Sequence, residues 1–152
     1  MDKHGGSKVP VIVATATILI LLAVGGLVLY QHRGETVFEE ERAFSSNKAH
    51  FEFALSAPNA EHRLFLAVRH HYTDDYQYTL KARLIFPSGK AFEKEILKFE
   101  HAADFGTHTT ETTHHTLWKF PAEKGRYDLN LAIQDKKGEV SVKKVKVTVK
   151  RL

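Results

Sequence analysis

The stretch Tyr127-Asp128-Leu129-Asn130-Leu131-Ala132-Ile133-Gln134 alternates apolar and polar residues without a break. Successive side chains of an extended strand point to opposite faces, so Tyr127, Leu129, Leu131 and Ile133 share one face. Asp128, Asn130, Ala132 and Gln134 take the other. Such a strand belongs to a sheet covered on one side.

The same period recurs on either side of it. Phe51, Phe53 and Leu55 alternate with His50, Glu52 and Ala54. Leu64, Leu66 and Val68 oppose Phe65, Ala67 and Arg69. Tyr76, Tyr78, Leu80, Ala82, Leu84 and Phe86 form the longest stripe, opposite Gln77, Thr79, Lys81 and Arg83. Pro58-Asn59 and Thr73-Asp74-Asp75 are turn chemistry, and Pro87-Ser88-Gly89-Lys90 reads as a tight hairpin connection. Asp135-Lys136-Lys137-Gly138 reads as a second hairpin loop, with glycine where a positive φ is needed. Val140 and Val142 share a parity that Val145, Val147 and Val149 do not, so a β-bulge is expected at Lys143-Lys144. Phe92 to Phe99 has mixed spacing, consistent with a strand or a short helix. Residues 100–113, rich in His and Thr, read as a loop before a strand at Leu117, Trp118 and Phe120. Seven or eight short strands with few helical signals predict an antiparallel β-sandwich, immunoglobulin-like or jelly-roll-like.

Ahead of this domain, Val9 to Tyr30 is a run of 22 residues without a charge. At 1.5 Å per residue it matches a hydrocarbon core of about 30 Å, and it is longer than the apolar region of a cleaved signal peptide. It is expected to be a transmembrane signal-anchor. Residues 1–8 form a short tail, 31–44 a linker or first strand, and 45–152 the sandwich. Lys and Arg nearly tie on the two sides of the span. The shortness of the tail favours a cytoplasmic N-terminus and a periplasmic C-terminal domain on the inner membrane.

Charge and composition narrow the function. Net charge is +4, with 22 basic and 18 acidic residues, too even a balance for a nucleic-acid field. There is no Cys, so disulfides and a lipidated cysteine are both excluded. No nucleophile elbow, P-loop or dinucleotide fingerprint occurs, and the serines sit in turn-like settings, so no enzyme and no small-molecule substrate are inferred. The ten histidines suggest metal, but His70-His71 and His114-His115 are adjacent and diverge on a strand. His101 and His108, with Asp104 and Glu111 near them, lack zinc-site spacing, so neither metal nor cofactor is expected there.

Phe51-Glu52-Phe53, Leu66 to His70, Tyr76 to Leu80, Phe86 to Gly89, Phe120-Pro121 and Gly125-Arg126-Tyr127 occur in that order over residues 37–149. In this order and spacing the chain resembles the gliding-motility lipoprotein H family of Bacteroidetes. It departs from the family at Gly26, where the lipidated Cys would stand, in the missing Trp-Leu-Gly stretch, and in the segment Gln134 to Val142. The resemblance implies a membrane-tethered accessory to an envelope machine of secretion or surface motility, and no catalytic residue. The expected function is a non-catalytic scaffold subunit of a cell-envelope complex. Arg69, beside Tyr76 and Tyr78 in an expected hairpin, and Trp118 are the candidate partner contacts. The alternative is a metal- or glycan-binding module using residues 100–115 and an exposed Trp118.

Overall fold

A computed structural model describes residues 34–100 and 109–152. Glu35–Leu152 form one compact unit of eight strands: β1 (Glu35–Ala43), β2 (Lys48–Leu55), β3 (Glu61–Tyr72), β4 (Tyr76–Ile85), β5 (Ala91–Glu100), β6 (Thr109–Pro121), β7 (Gly125–Lys137) and β8 (Val140–Arg151). They make two antiparallel four-stranded sheets, in the orders β1-β8-β3-β6 and β2-β7-β4-β5. An immunoglobulin sandwich would seat the first two strands side by side. Here β1 and β2 lie in different sheets, and the chain crosses between sheets at every connection except β4–β5. That is the eight-stranded jelly roll.

The alternating stripes become the core. Phe51, Phe53 and Leu55; Leu64, Leu66 and Val68; the stripe from Tyr76 to Phe86; Tyr127 to Ile133; and Val145, Val147 and Val149 are all buried. Two register slips re-aim strands. Lys143 is the residue skipped where β8 pairs with β3, which places the bulge where the valine parity changes. Leu117 is skipped in the same way where β6 pairs with β3. This lets both Leu117 and Phe120 face inward although their spacing is odd.

Two expectations need correction and one left open is decided. Residues 91–100, open between a strand and a short helix, are a strand. Their spacing is mixed because β5 is an edge whose inward positions include Lys94 and Lys98, a known device against edge-to-edge aggregation. Residues 109–113, expected as loop, are the start of β6. The turn after Lys137 is not a hairpin, because β7 and β8 belong to opposite sheets. Gly138 at that turn has φ +76°, and a Cβ there would collide with the Asp75 carbonyl. The turn at Pro87–Lys90 does close a hairpin, with Phe86 N–H donating to Lys90 O at 2.8 Å and Gly89 at φ +86°. The segment 31–44, left between linker and strand, contains β1. The expected anchor, residues 9–30, lies outside the described residues, among which no helix is long and apolar enough to cross a membrane.

Candidate functional site

Four strands of the second sheet turn alternate residues outward, and the register arranges them in rows. One row runs Lys48, Ala132, Lys81, Glu95 across β2, β7, β4 and β5; the next runs His50, Asn130, Arg83, Glu93. The short Ala132 and Asn130 therefore sit on the second strand of the row, between longer side chains. A groove of about 670 Å³ follows, floored by these two residues. One wall is Lys48 and His50. The other is Lys81 and Arg83, held by ion pairs to Glu95 at 2.9 Å and Glu93 at 3.2 Å. The Lys81 ammonium is pushed above its ordinary pKa by its hydrogen bond to Glu95. The sheet register fixes where each of these side chains is attached.

A third row completes the corner. Glu52 stands directly opposite Asp128, next to the His50–Asn130 pair. His50 Nδ1 lies 2.9 Å from Asn130 Oδ1, and its Nε2 lies 3.2 Å from Glu52 Oε1 and 3.6 Å from Asp128 Oδ1. Arg126 Nη2 reaches both carboxylates, contacting Glu52 and lying 3.4 Å from Asp128. Sequence reasoning missed this quartet. Its signal is H-x-E on one strand and D-x-N on another, and only the pairing register joins the two.

The sequence-chosen residues lie elsewhere. Arg69 is exposed on the outer face of the first sheet, across from Lys144 in β8 and Thr112 in β6. Tyr76 and Tyr78 face the interior from the second sheet at 3% and 1% exposure. The hairpin expected to bring Arg69 to them does not form, because β3 and β4 lie in different sheets. The buried rings offer no outer surface to a partner. Trp118 is half-buried, its ring 6.3 Å from that of Phe92, and it packs on the core. A glycan platform would need that ring turned to solvent. His101 and His108 lie outside the described residues. His114 and His115 diverge, the first outward and the second inward, as do His71 and His70.

The inward residues of this region build a polar nest at one end of the interior. His70, fully buried, has Nε2 2.6 Å from the Tyr76 hydroxyl and 3.4 Å from Glu111 Oε2. Burial holds His70 below the ordinary histidine pKa, against the pull of Glu111. Burial and the nearby Lys98 do the same to His115. Burial raises both tyrosines, Tyr78 to about 12. For Lys98 burial works against the ammonium, but Glu100 and Glu111 outweigh it and hold its pKa up. His70 Nδ1, Tyr78 Oη and Thr113 Oγ1 complete no hydrogen bond among the described residues. Lys98, 3.6 Å from Glu111, and Lys94, donating to the Thr116 and Leu117 carbonyls at 3.2 Å, tie β5 to β6 across the side of the sandwich.

No protein-family model and no curated protein matches the chain. Among solved structures it is similar to a capsid protein in the structure of infectious bursal disease virus Gt strain (8% identity, TM-score 0.41, 78% of this chain and 33% of that one). It is also similar to dimeric latent PorU from Porphyromonas gingivalis (12%, TM-score 0.36, 78% and 11%). A third is the CBM22-1–GH10 portion of xylanase 10B from Clostridium thermocellum (13%, TM-score 0.36, 79% and 29%). The chain spans about a third of these proteins' length or less. Likenesses at this level assign no activity to it.

Proposed function

We propose that this chain is a non-catalytic, membrane-anchored accessory or scaffold subunit of a cell-envelope complex, docking a protein partner on the outer face of its second sheet. The observation that carries the reading is the groove over Ala132 and Asn130. It is lined by β2, β7, β4 and β5 together with Ser45 of the β1–β2 turn, and its walls are charged side chains. A groove lined by lysine, arginine and paired carboxylates suits an extended polar segment of a protein better than an apolar small molecule. The uncharged run 9–30 supports a single-pass anchor on the inner membrane, with the N-terminus cytoplasmic and the domain periplasmic. The resemblance to the gliding-motility lipoprotein H family favours a machine of gliding motility or protein secretion as the complex.

The test is fractionation followed by purification from native membranes. The protein should remain in the membrane after a carbonate wash and bring a partner with it. Arg83→Glu should release that partner while the domain melts like wild type, and Arg69→Glu, on the opposite sheet, should retain it. Release of a soluble species beginning near Gly26 or Gln31 would overturn the anchor. Purification without a partner, or equal behaviour of the two variants, would overturn the docking face.

A further inference from the structure

We propose that His50, Glu52 and Asp128 form a surface binding site for a zinc-class divalent cation, with Asn130 orienting the histidine ring. The strand register creates it. His50 and Glu52 are two residues apart on β2 and therefore share a face, and Asn130 and Asp128 are their direct cross-strand partners on β7. One ligand atom from each of His50, Glu52 and Asp128 lies within 4.8 Å of the others. A tetrahedral ion with bonds of about 2.0–2.2 Å holds its ligands roughly 3.3–3.6 Å apart. Side chains this exposed close the difference by small rotations.

The ring orientation supplies the second half of the argument. The Asn130 amide oxygen can only accept a hydrogen bond, so the contact of 2.9 Å calls for a proton on His50 Nδ1. Nε2 then points where the two carboxylates converge, at 3.2 and 3.6 Å; these oxygens also only accept, so a cation must stand between them and the ring nitrogen, either a proton on Nε2 or a metal that replaces it. A ligating histidine whose other ring nitrogen donates to a fixed acceptor is the arrangement that metal sites use to set tautomer and aim. Three electron-pair donors converging on one point call for a cation. Arg126 contacts the two carboxylates and is 63% exposed at its side chain. An exposed ion pair of that kind is a weak competitor.

The donor set selects the ion. One imidazole nitrogen with two carboxylate oxygens suits Zn²⁺ and its late first-row neighbours, and solvent completes the shell on the open side. Ca²⁺ and Mg²⁺ prefer all-oxygen shells and discriminate against it. His50 and Asn130 also line the groove, so a bound ion would stand at its rim with an open coordination position. The inference rests on the four side chains alone and does not require the docking reading.

The test is titration of the full chain with Zn²⁺ and with Co²⁺, whose visible absorption reports the ligand shell. Wild type should bind one equivalent saturably, with Ca²⁺ and Mg²⁺ unable to compete at tenfold excess. His50→Gln and Asp128→Asn should each weaken binding at least tenfold and abolish the Co²⁺ band at this site, with unchanged melting curves in the absence of metal. Asn130→Ala should weaken binding about tenfold, and Arg126→Gln, which removes the competing cation, should strengthen it. Absence of saturable zinc binding would overturn the site. So would zinc binding that survives unchanged in both His50→Gln and Asp128→Asn, because the ion would then belong to other histidines.

Discussion

The two ends of the sandwich interior use the same residue types to opposite effect. At one end Phe53, Phe86, Phe120 and Tyr127 pack ring against ring, with centroids about 5–6 Å apart. The polar atoms there are paired: the Tyr127 hydroxyl donates to Glu123 O at 3.0 Å and accepts from Glu123 N at 2.6 Å. His62 beside them is buried with Nδ1 2.8 Å from Ala60 O. At the other end His70, Tyr76 and Tyr78 are as deeply buried, yet His70 Nδ1 and the Tyr78 hydroxyl complete no hydrogen bond of good geometry among the described residues, with Thr113 only near enough to Tyr78 to temper the effect of burial. Burying an unpaired polar group costs free energy that a paired one recovers. Stability is therefore expected to concentrate at the aromatic end, and sensitivity to pH at the polar end.

Four measurements sharpen or break that contrast. The largest effect is expected from Phe120→Ala, which empties a position 1% exposed between His62, Phe86 and Tyr127. Denaturant unfolding should show a loss of about 3–5 kcal/mol. A loss below about 1 kcal/mol would mean the aromatic end does not carry the fold.

The second concerns pH. Burial depresses the folded-state pKa of His70 below its ordinary 6.5. As pH falls past 6.5 the unfolded chain takes up a proton that the folded chain still refuses, so stability should fall with pH until the folded-state pKa is passed. The slope from this group is at most about 1.4 kcal/mol per pH unit, and His115 adds in the same direction. Melting temperatures between pH 7.5 and 5 should drop in wild type, and His70→Gln should drop less. An unchanged slope in His70→Gln would remove His70 from the account.

The third and fourth are a matched pair. Tyr127→Phe strips the hydroxyl from two backbone bonds and should cost about 1 kcal/mol. Tyr78→Phe removes a buried hydroxyl that completes no hydrogen bond of good geometry among the described residues and should be neutral or slightly stabilising. Chemical melts of the two variants side by side decide it. If Tyr78→Phe costs as much as Tyr127→Phe, the Tyr78 hydroxyl is paired in solution and the contrast between the ends collapses.

The parity of apolar residues made most of the core legible. From Tyr76 to Phe86, and from Tyr127 to Ile133, every second residue is apolar because both strands face the core over these residues. Even the bulge at Lys143 showed, since the valines change parity there. The first turn of β6 was hidden because Glu111, Thr113 and His115 are polar on the inward face too, so no alternation appears. β5 was obscured by Lys94 and Lys98 pointing inward at an edge. Sheet membership was invisible for a different reason. Pro87–Lys90 and Asp135–Gly138 carry the same turn residues, yet the first closes a hairpin and the second crosses between sheets. Turn chemistry fixes a local bend, and the partner of a strand is chosen by packing across the sandwich. The candidate site followed the same rule: the groove and the His50 quartet are cross-strand neighbours far apart in sequence, 80 residues for His50 and Asn130 and more for Lys48 and Ala132.

The outer face of the second sheet is the working surface in this account, and the outer face of the first provides the internal control. Ala132 lies on the floor of the groove, and Ala67 occupies an outward position on β3 in the opposite sheet. A photo-crosslinking amino acid placed at each in turn, irradiated in native membranes, compares the two faces directly. A discrete adduct from position 132 with none from position 67 is the expected result. Equal labelling from both positions, or an adduct from position 67 alone, would contradict it.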